Sequence, residues 1–280
     1  MSWTYLNKSF VKKEEVKISP FDRGFLFGDS VYELIPSYGK KLFLYDEHLL
    51  RLSNSLKASG IRRPSVWNNL REIISELIIK NEFENQSVYI QISRGEEVLR
   101  DHVPCASTLP TLFISTTELS PSLHRDLQNL NSDFKVKTHN DLRWSRCDIK
   151  ANTLLGNVMS LNDADIDEVV FHKEGLITEG ARSNIFLVFG DEVVTPPVSN
   201  NMLSGITRQY FLDKLQENTI RVTERDIEIR ELDLADEIWF SNSSKLLKFV
   251  THVNKRALQK SFSGSICEEA IGLFILDILS

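Results

Sequence analysis

Cysteine is scarce in this chain. Cys105, Cys147 and Cys267 are odd in number and form no C-x-x-C pair, which fits a reducing cytoplasm and argues against zinc. No run of about eighteen uncharged apolar residues occurs. The most apolar tail, Ile271 to Leu279, is interrupted by Asp277, so no membrane span is expected. Positive charge is not in excess: the formal net charge is -6, which disfavours nucleic acid as a partner because phosphate binding wants a basic face. Met1 to Glu15 lacks an apolar h-region and does not read as a secretion signal. Internal repeats and low-complexity segments are also lacking.

What is present is the composition of an ordinary globular protein of 280 residues, long enough for two domains. Trp3 to Ile18 reads as strands joined by a charged turn at Lys12 to Glu15. A glycine-punctuated loop, Asp22 to Asp29, precedes a hairpin of Val31–Tyr38 and Lys41–Leu44 turned at Gly39-Lys40. Asp46 is the expected N-cap of a helix that Gly60 ends, and Ser65 that of a second helix with Leu70, Ile73, Ile74 and Leu77 on one face. Strands are expected over Ser87–Ser93 and, central and buried, over Thr111–Thr117. Beyond Glu118–Ser122, the second half reads as a strand at Phe134–Thr138, a helix carrying Leu154, Leu155, Val158, Met159 and Leu161, and hairpins turned at Lys173–Gly175 and Gly190-Asp191. A helix from Gly205-Ile-Thr-Arg208 to about Glu217, a strand over Leu246–Val253 and a C-terminal helix capped near Ser265 complete it. Strand hairpins with inserted helices, without regular β-α alternation, argue against a Rossmann or TIM barrel fold.

Two stretches carry chemistry. Asp141–Lys150 ends an arginine-rich segment on Lys150, and about thirty residues later Glu179 stands alone in a Thr-Glu-Gly turn. A lysine that forms imines and an acid that keeps a pyridine nitrogen protonated are the two groups a pyridoxal phosphate enzyme needs. Local pattern alone leaves the other candidates ambiguous. His48, Arg51 and Ser55 form a helical stripe that also suits a solvated face. Ile206 and Thr207 at a helix start suit either a phosphate or a simple cap, and Ser241–Ser244 is by itself a turn.

Taken together, Asp22-Arg-Gly-Phe25 with Phe27-Gly-Asp29, Val31-Tyr-Glu33, His48 with Arg51-Leu52, Arg143-Trp144 with Arg146–Lys150, Thr178-Glu-Gly180 with Ser183-Asn184, and Gly205-Ile-Thr-Arg208 resemble the fold-type-IV pyridoxal phosphate enzymes. This family includes D-amino acid and branched-chain aminotransferases and aminodeoxychorismate lyase. The resemblance implies a two-domain α+β fold and pyridoxal 5′-phosphate as cofactor. It implies Lys150 as Schiff base and proton carrier, Glu179 on the pyridine nitrogen, and Arg143 near the lysine-bearing strand. Arg51, Ile206 and Thr207 would hold the phosphate, with Asn242 and Ser243 beside them. Arg100-Asp101-His102 resembles the arginine-x-histidine with which D-amino acid aminotransferases grip a substrate carboxylate, assisted by a tyrosine at Tyr32. In that family the loop reaches the neighbouring subunit's site, so a homodimer is implied, acting on D-amino acids and 2-oxo acids in the cytoplasm.

The expected division is 1–117, a linker at 118–124, and 125–280 carrying the lysine. Departures from the pattern are Ser30 in place of glycine, Ala181-Arg182, a shorter approach at Asn200–Gly205, and Asn242-Ser-Ser244. An inward-pointing Arg182 would favour acidic substrates. The alternatives are a branched-chain L-aminotransferase, aminodeoxychorismate lyase, and a non-catalytic binding protein on the same fold.

Overall fold

A computed structural model describes residues 2–119, 133–162 and 165–279. The chain divides into two compact units, Met1–Pro121 with Ile149–Leu154, and Ser122–Asp148 with Leu155–Ser280. Residues 120–124 of the expected linker lie outside the described residues.

The first unit contains β1 (Trp3–Leu6), β2 (Ser9–Lys12), α1 (Arg23–Phe27), β3 (Ser30–Tyr38), β4 (Lys41–Leu42), α2 (Tyr45–Ser59), α3 (Leu70–Asn81), β5 (Gln86–Ser93) and β6 (Thr111–Glu118). The strands form one antiparallel sheet in the order β2-β1-β6-β5-β3-β4. Side chains alternate between faces along a strand. In the β3–β5 register Val31, Glu33 and Ile35 oppose Ile92, Ile90 and Val88, and this face packs with Leu52, Leu56, Leu70, Ile74 and Leu77 of the helices. Ser30, Tyr32, Tyr89 and Gln91 therefore share the opposite parity. That single alternation decides which residues become core and which are left for chemistry.

Several local expectations are corrected. The first hairpin turns at Asn7, which adopts φ 56°, and the charged Lys13–Glu15 is a 3-10 turn after the strand. The Asp22–Asp29 loop contains α1, with Asp22 as its cap accepting from the Gly24 N–H. α2 starts at Tyr45 after Leu44, so Asp46 falls within its first turn and pairs with Arg71 instead. Gly60 ends the helix with φ 65°, a left-handed conformation glycine adopts without strain. α3 follows a 3-10 turn at Trp67–Asn69, so Ser65 caps neither element.

The second unit contains β7 (Lys135–Asn140), α4 (Leu155–Ser160), β8 (Glu168–Lys173), β9 (Leu176–Ile177), β10 (Asn184–Phe189), β11 (Glu192–Thr195), α5 (Ile206–Glu217), β12 (Arg221–Glu224), β13 (Glu237–Asn242), β14 (Leu246–Phe249), β15 (His252–Val253), β16 (Arg256–Ala257) and α6 (Ile266–Leu279). Two five-stranded sheets, ordered β12-β11-β10-β13-β14 and β16-β15-β7-β8-β9, share a core of residues such as Val170, Ile185, Leu187, Ile238, Phe240 and Val250. The strand expected over Leu246–Val253 is split because the chain changes sheets: β14 pairs with β13, and β15 with β7. In α4 the apolar stripe exists, but Leu155, Val158 and Met159 are exposed.

The segment carrying Lys150 belongs with the first unit, not with the later domain where the sequence reading placed it. Its backbone is tied to β3: the Tyr32 N–H donates to the Lys150 carbonyl at 2.9 Å, the Asn152 N–H donates to the Ser30 carbonyl at 3.1 Å, and Val31 bridges Ala151. Chain order is a weaker guide here than backbone pairing. No helix among the described residues is long and apolar enough to cross a membrane.

Candidate functional site

In the first unit Lys150 lies between Ile149, which is buried in the core, and Ala151. Its N–H donates to Ser55 Oγ at 3.2 Å. Its Nζ stands 4.3 Å from the centre of the Tyr32 ring, so two sequence-predicted residues are brought together. The Tyr32 ring leans on that of Tyr89, with centroids 5.8 Å apart.

Arg51 turns inward. Its Nε and Nη2 donate to Glu33 Oε2 and Oε1 at 2.9 and 2.6 Å, a two-point grip that fixes the guanidinium plane. Glu33 sits on the core face of β3 and is fully buried. Burial alone would push its carboxyl up, but the Arg51 charge and the neighbouring His48 hold it well below the usual carboxylate range. His48 Nδ1 lies 3.1 Å away. Burial lowers the imidazole, aided by the Arg51 and Lys150 charges and opposed by Glu33. The sequence reading missed Glu33 as a partner of Arg51. The signal was there: strand alternation places this acid between Val31 and Ile35 on an apolar face, where it requires a cation.

Arg100 and His102 share a loop and a platform. The Arg100 guanidinium lies 4.7 Å from the centre of the Phe27 ring, and the His102 ring 5.4 Å from it. Among the described residues neither side chain has an ion-pair or hydrogen-bond partner. The loop is held from beneath by Arg23, which is buried. Arg23 donates to the Asp101 and His102 carbonyls at 2.6 and 3.1 Å and pairs with Asp29 and Glu97, both at 2.9 Å. Arg23 lies in the Asp22–Phe25 motif, but its role was not legible because Glu97 and the Asp101 and His102 carbonyls lie far along the chain.

In the second unit Glu179 is buried. It accepts from Arg143 Nη1 at 2.7 Å, from the Leu203 N–H at 3.1 Å and from Asn184 Nδ2 at 3.3 Å. Arg143 is shared, because its Nε and Nη2 donate to Asp141 at 2.9 and 2.8 Å. Burial pushes the Glu179 carboxyl up to about 7; the Arg143 charge, its hydrogen bond and the Leu203 N–H oppose this, and the Asp141 charge adds to it. Such a group changes protonation near neutrality with small changes in surroundings.

α5 begins at Ile206 with no side chain capping it, so its first N–H groups face outward with the positive end of the helix dipole. Thr207 Oγ1 and Ser243 Oγ lie 3.5 Å apart. Beside them, a Cβ on Gly205 would sit 1.8 Å from Asn184 Oδ1, so this cradle admits no side chain. These donors fit a phosphate dianion. Asn242 is differently employed. Its Nδ2 donates to Ser183 Oγ at 2.9 Å, and its Oδ1 accepts from the Ser244 and Lys245 N–H groups at 3.0 and 2.7 Å. The amide shapes the turn that presents Ser243. Arg182 does not bear out the inward orientation considered for it: it is half-exposed and reaches the Asp167 carbonyl at 2.5 Å and Glu168 at 3.7 Å.

The architecture of these elements is the fold-type-IV enzyme fold. Two solved branched-chain aminotransferases share it. The one from the thermophilic archaeon Thermoproteus uzoniensis has a TM-score of 0.84 at 22% identity over 99% of this chain and 95% of that one. The one from Escherichia coli has a TM-score of 0.85 at 23% identity over 98% and 93%. In sequence, the D-alanine aminotransferase of Staphylococcus epidermidis is 31% identical over 272 residues, covering 96% of this chain and 95% of its own. That of Listeria monocytogenes serotype 1/2a is 30% identical over 276 residues, covering 98% and 95%. The model of the amino-transferase class IV family matches residues 30–253, and the chain belongs to that family.

Proposed function

We propose that the protein transaminates D-amino acids to 2-oxo acids, with 2-oxoglutarate or pyruvate as acceptor and pyridoxal 5′-phosphate as cofactor. When bound, that cofactor supplies a protonated pyridine ring that accepts the electrons left at the substrate Cα. Lys150 Nζ would hold the cofactor. The free Lys150 amine would take and return the proton at the substrate Cα. Glu179 would face the ring nitrogen. Its carboxyl, poised near 7, is held as the anion once a pyridinium N–H stands against it. Arg51, the N–H groups of Ile206 and Thr207, and the Thr207 and Ser243 hydroxyls would take the phosphate.

The observation that carries the choice of substrate is the loop of Arg100 and His102, whose side chains rest on Phe27 without an internal anionic partner among the described residues. An arginine fork and an imidazole, with the Tyr32 hydroxyl, suit an α-carboxylate. Fixing that carboxylate on one side decides which hydrogen on Cα stands over the ring. The names of the relatives at 31% and 30% identity support the same substrate class. The loop also exposes Val98 (92%) and Leu99 (76%), apolar side chains suited to burial against a second copy. This supports a homodimer in which the loop serves the neighbouring subunit.

The test is the half-reaction without acceptor: D-alanine, D-glutamate and L-valine are added separately to the yellow protein. Conversion of the visible band to the shorter-wavelength amine form by the D-substrates alone is expected. Conversion by L-valine alone would replace this reading with the branched-chain one. A yellow protein that none converts would favour the lyase chemistry.

A further inference from the structure

Ser30, where the family more usually has glycine, closes a ring of side-chain hydrogen bonds. Its Oγ donates to Asn152 Oδ1 at 2.9 Å, and Asn152 Nδ2 donates to the Tyr89 hydroxyl at 3.0 Å. The Tyr89 hydroxyl donates to Gln91 Oε1 at 2.7 Å, and Gln91 Nε2 returns to Ser30 Oγ at 3.4 Å. Every member donates once and accepts once around the circuit, so the bonds run in one direction and polarise one another. Ser30 and Asn152 are 122 positions apart in the chain, yet they are also joined through their backbones, the Asn152 N–H donating to the Ser30 carbonyl. The contact is therefore pinned twice, two residues from Lys150.

The ring borders the reacting groups without containing any of them. Tyr89 leans on Tyr32, and Tyr32 lies under Lys150 Nζ. The two tyrosines are treated differently. The Tyr89 hydroxyl has both its donor and an acceptor position used by the ring, whereas the Tyr32 hydroxyl has no hydrogen-bond partner among the described residues. We propose that the Ser30–Asn152–Tyr89–Gln91 ring is a positioning device: it ties the lysine segment to β3 in one register and withholds the Tyr89 phenol, leaving Tyr32 as the hydroxyl that meets the substrate carboxylate. The inference rests on the roles proposed above for Lys150 and Tyr32. Ser30, Asn152, Tyr89 and Gln91 are positioning residues, acting through those two.

The experiment compares Ser30→Ala, Asn152→Ala, their double variant, Tyr89→Phe and Ser30→Thr in the cofactor-loaded protein. It records the pH midpoint of the visible band, the thermal midpoint, and kcat and KM with the amino acid that converts the wild type. Ser30→Ala is expected to move the pH midpoint by about half a unit and to lower kcat/KM about five- to tenfold, the worth of one neutral hydrogen bond. Tyr89→Phe, which keeps the ring's volume and so its fold, should match it. The double variant should be no worse than the worse single, since either substitution already opens the circuit. Ser30→Thr should restore wild-type values by supplying the same hydroxyl. Loss of thermal stability with an unmoved pH midpoint and unchanged kcat/KM would overturn the proposal. So would a Tyr89→Phe defect far larger than that of Ser30→Ala, which would put the Tyr89 hydroxyl on the substrate. Borohydride reduction of the wild type followed by peptide mapping reads the Lys150 assignment separately. A label elsewhere sinks the functional reading, whatever the Ser30 variants do.

Discussion

Two buried glutamates, each against an arginine, have opposite acid strengths. Glu33 receives two N–H groups of Arg51, with His48 Nδ1 3.1 Å away, and remains ionised well below the usual range. Glu179 receives one N–H of Arg143, whose Nε and Nη2 donate to Asp141, and its carboxyl is pushed up to about 7. Burial opposes the charge in both. What differs is the hold: Glu33 takes two N–H groups of its arginine and has His48 beside it, whereas Glu179 takes one from an arginine that also serves Asp141. An acid gripped at two points is a fixed strut; an acid held at one point, with a second carboxylate on the same cation, is left able to titrate.

Replacing the strut should have the largest effect. Glu33→Ala leaves Arg51 and His48 without their buried anion, and urea denaturation of the cofactor-free protein should show a loss of about 3–5 kcal/mol. Because the Glu33 carboxyl is depressed, its stabilisation is present above about 4.5 and is lost as pH falls through the lower folded value. A loss below about 1 kcal/mol would mean that Arg51 is not held by this pair. Next, Glu179→Gln should lower kcat about a hundredfold to a thousandfold, as for other groups that stabilise charge in a reaction. Here the sign of the linkage reverses. A raised carboxyl contributes stability that is full below about 4.5 and is lost as pH rises through about 7, a change of about 3 kcal/mol in the cofactor-free protein. Glu179→Gln should flatten stability between about pH 4.5 and 7; an unchanged slope would assign the titration to another group.

Smaller changes sharpen the contrast. Asp141→Asn gives Arg143 to Glu179 alone and should move the midpoint of that pH-dependent stability down by about one unit. An upward movement would show that Asp141 mainly orients Arg143. His48→Gln should cost only about 1 kcal/mol, the net worth of one hydrogen bond, since two Arg51 N–H groups remain on Glu33.

Much of the fold was legible in local pattern. Val88, Ile90 and Ile92 alternate, Leu52 and Leu56 repeat at helical spacing, and Gly60 stops α2, all with local physical causes. Lys150 and Glu179 stood out by chemistry and motif. The supports of these groups did not, because each is a long-range pairing with no local signature. Arg23 reaches the loop carrying Arg100 and His102 across 78 and 79 positions, and Ser30 meets Asn152 across 122. The assignment of the lysine segment to the later domain went wrong for the same reason: it pairs with β3 rather than with its sequence neighbours. Asn242 had the right neighbourhood but a different occupation, since a turn can absorb every polar atom of an amide. Periodicity announced α4 but could not say that its apolar stripe would be left exposed.

Gly205 has an ordinary extended backbone, with φ -73° and ψ 127°, so it is glycine for want of space. A Cβ would meet Asn184 Oδ1 at 1.8 Å, and the amide of that asparagine donates to Glu179. In terms of inheritance, the position is a lock between two lineages of change. A side chain added at the start of α5 requires the Asn184 amide to shift, and a shift of that amide disturbs its bond to the acid. The two ends of the second unit's polar site must therefore drift together or stay as they are.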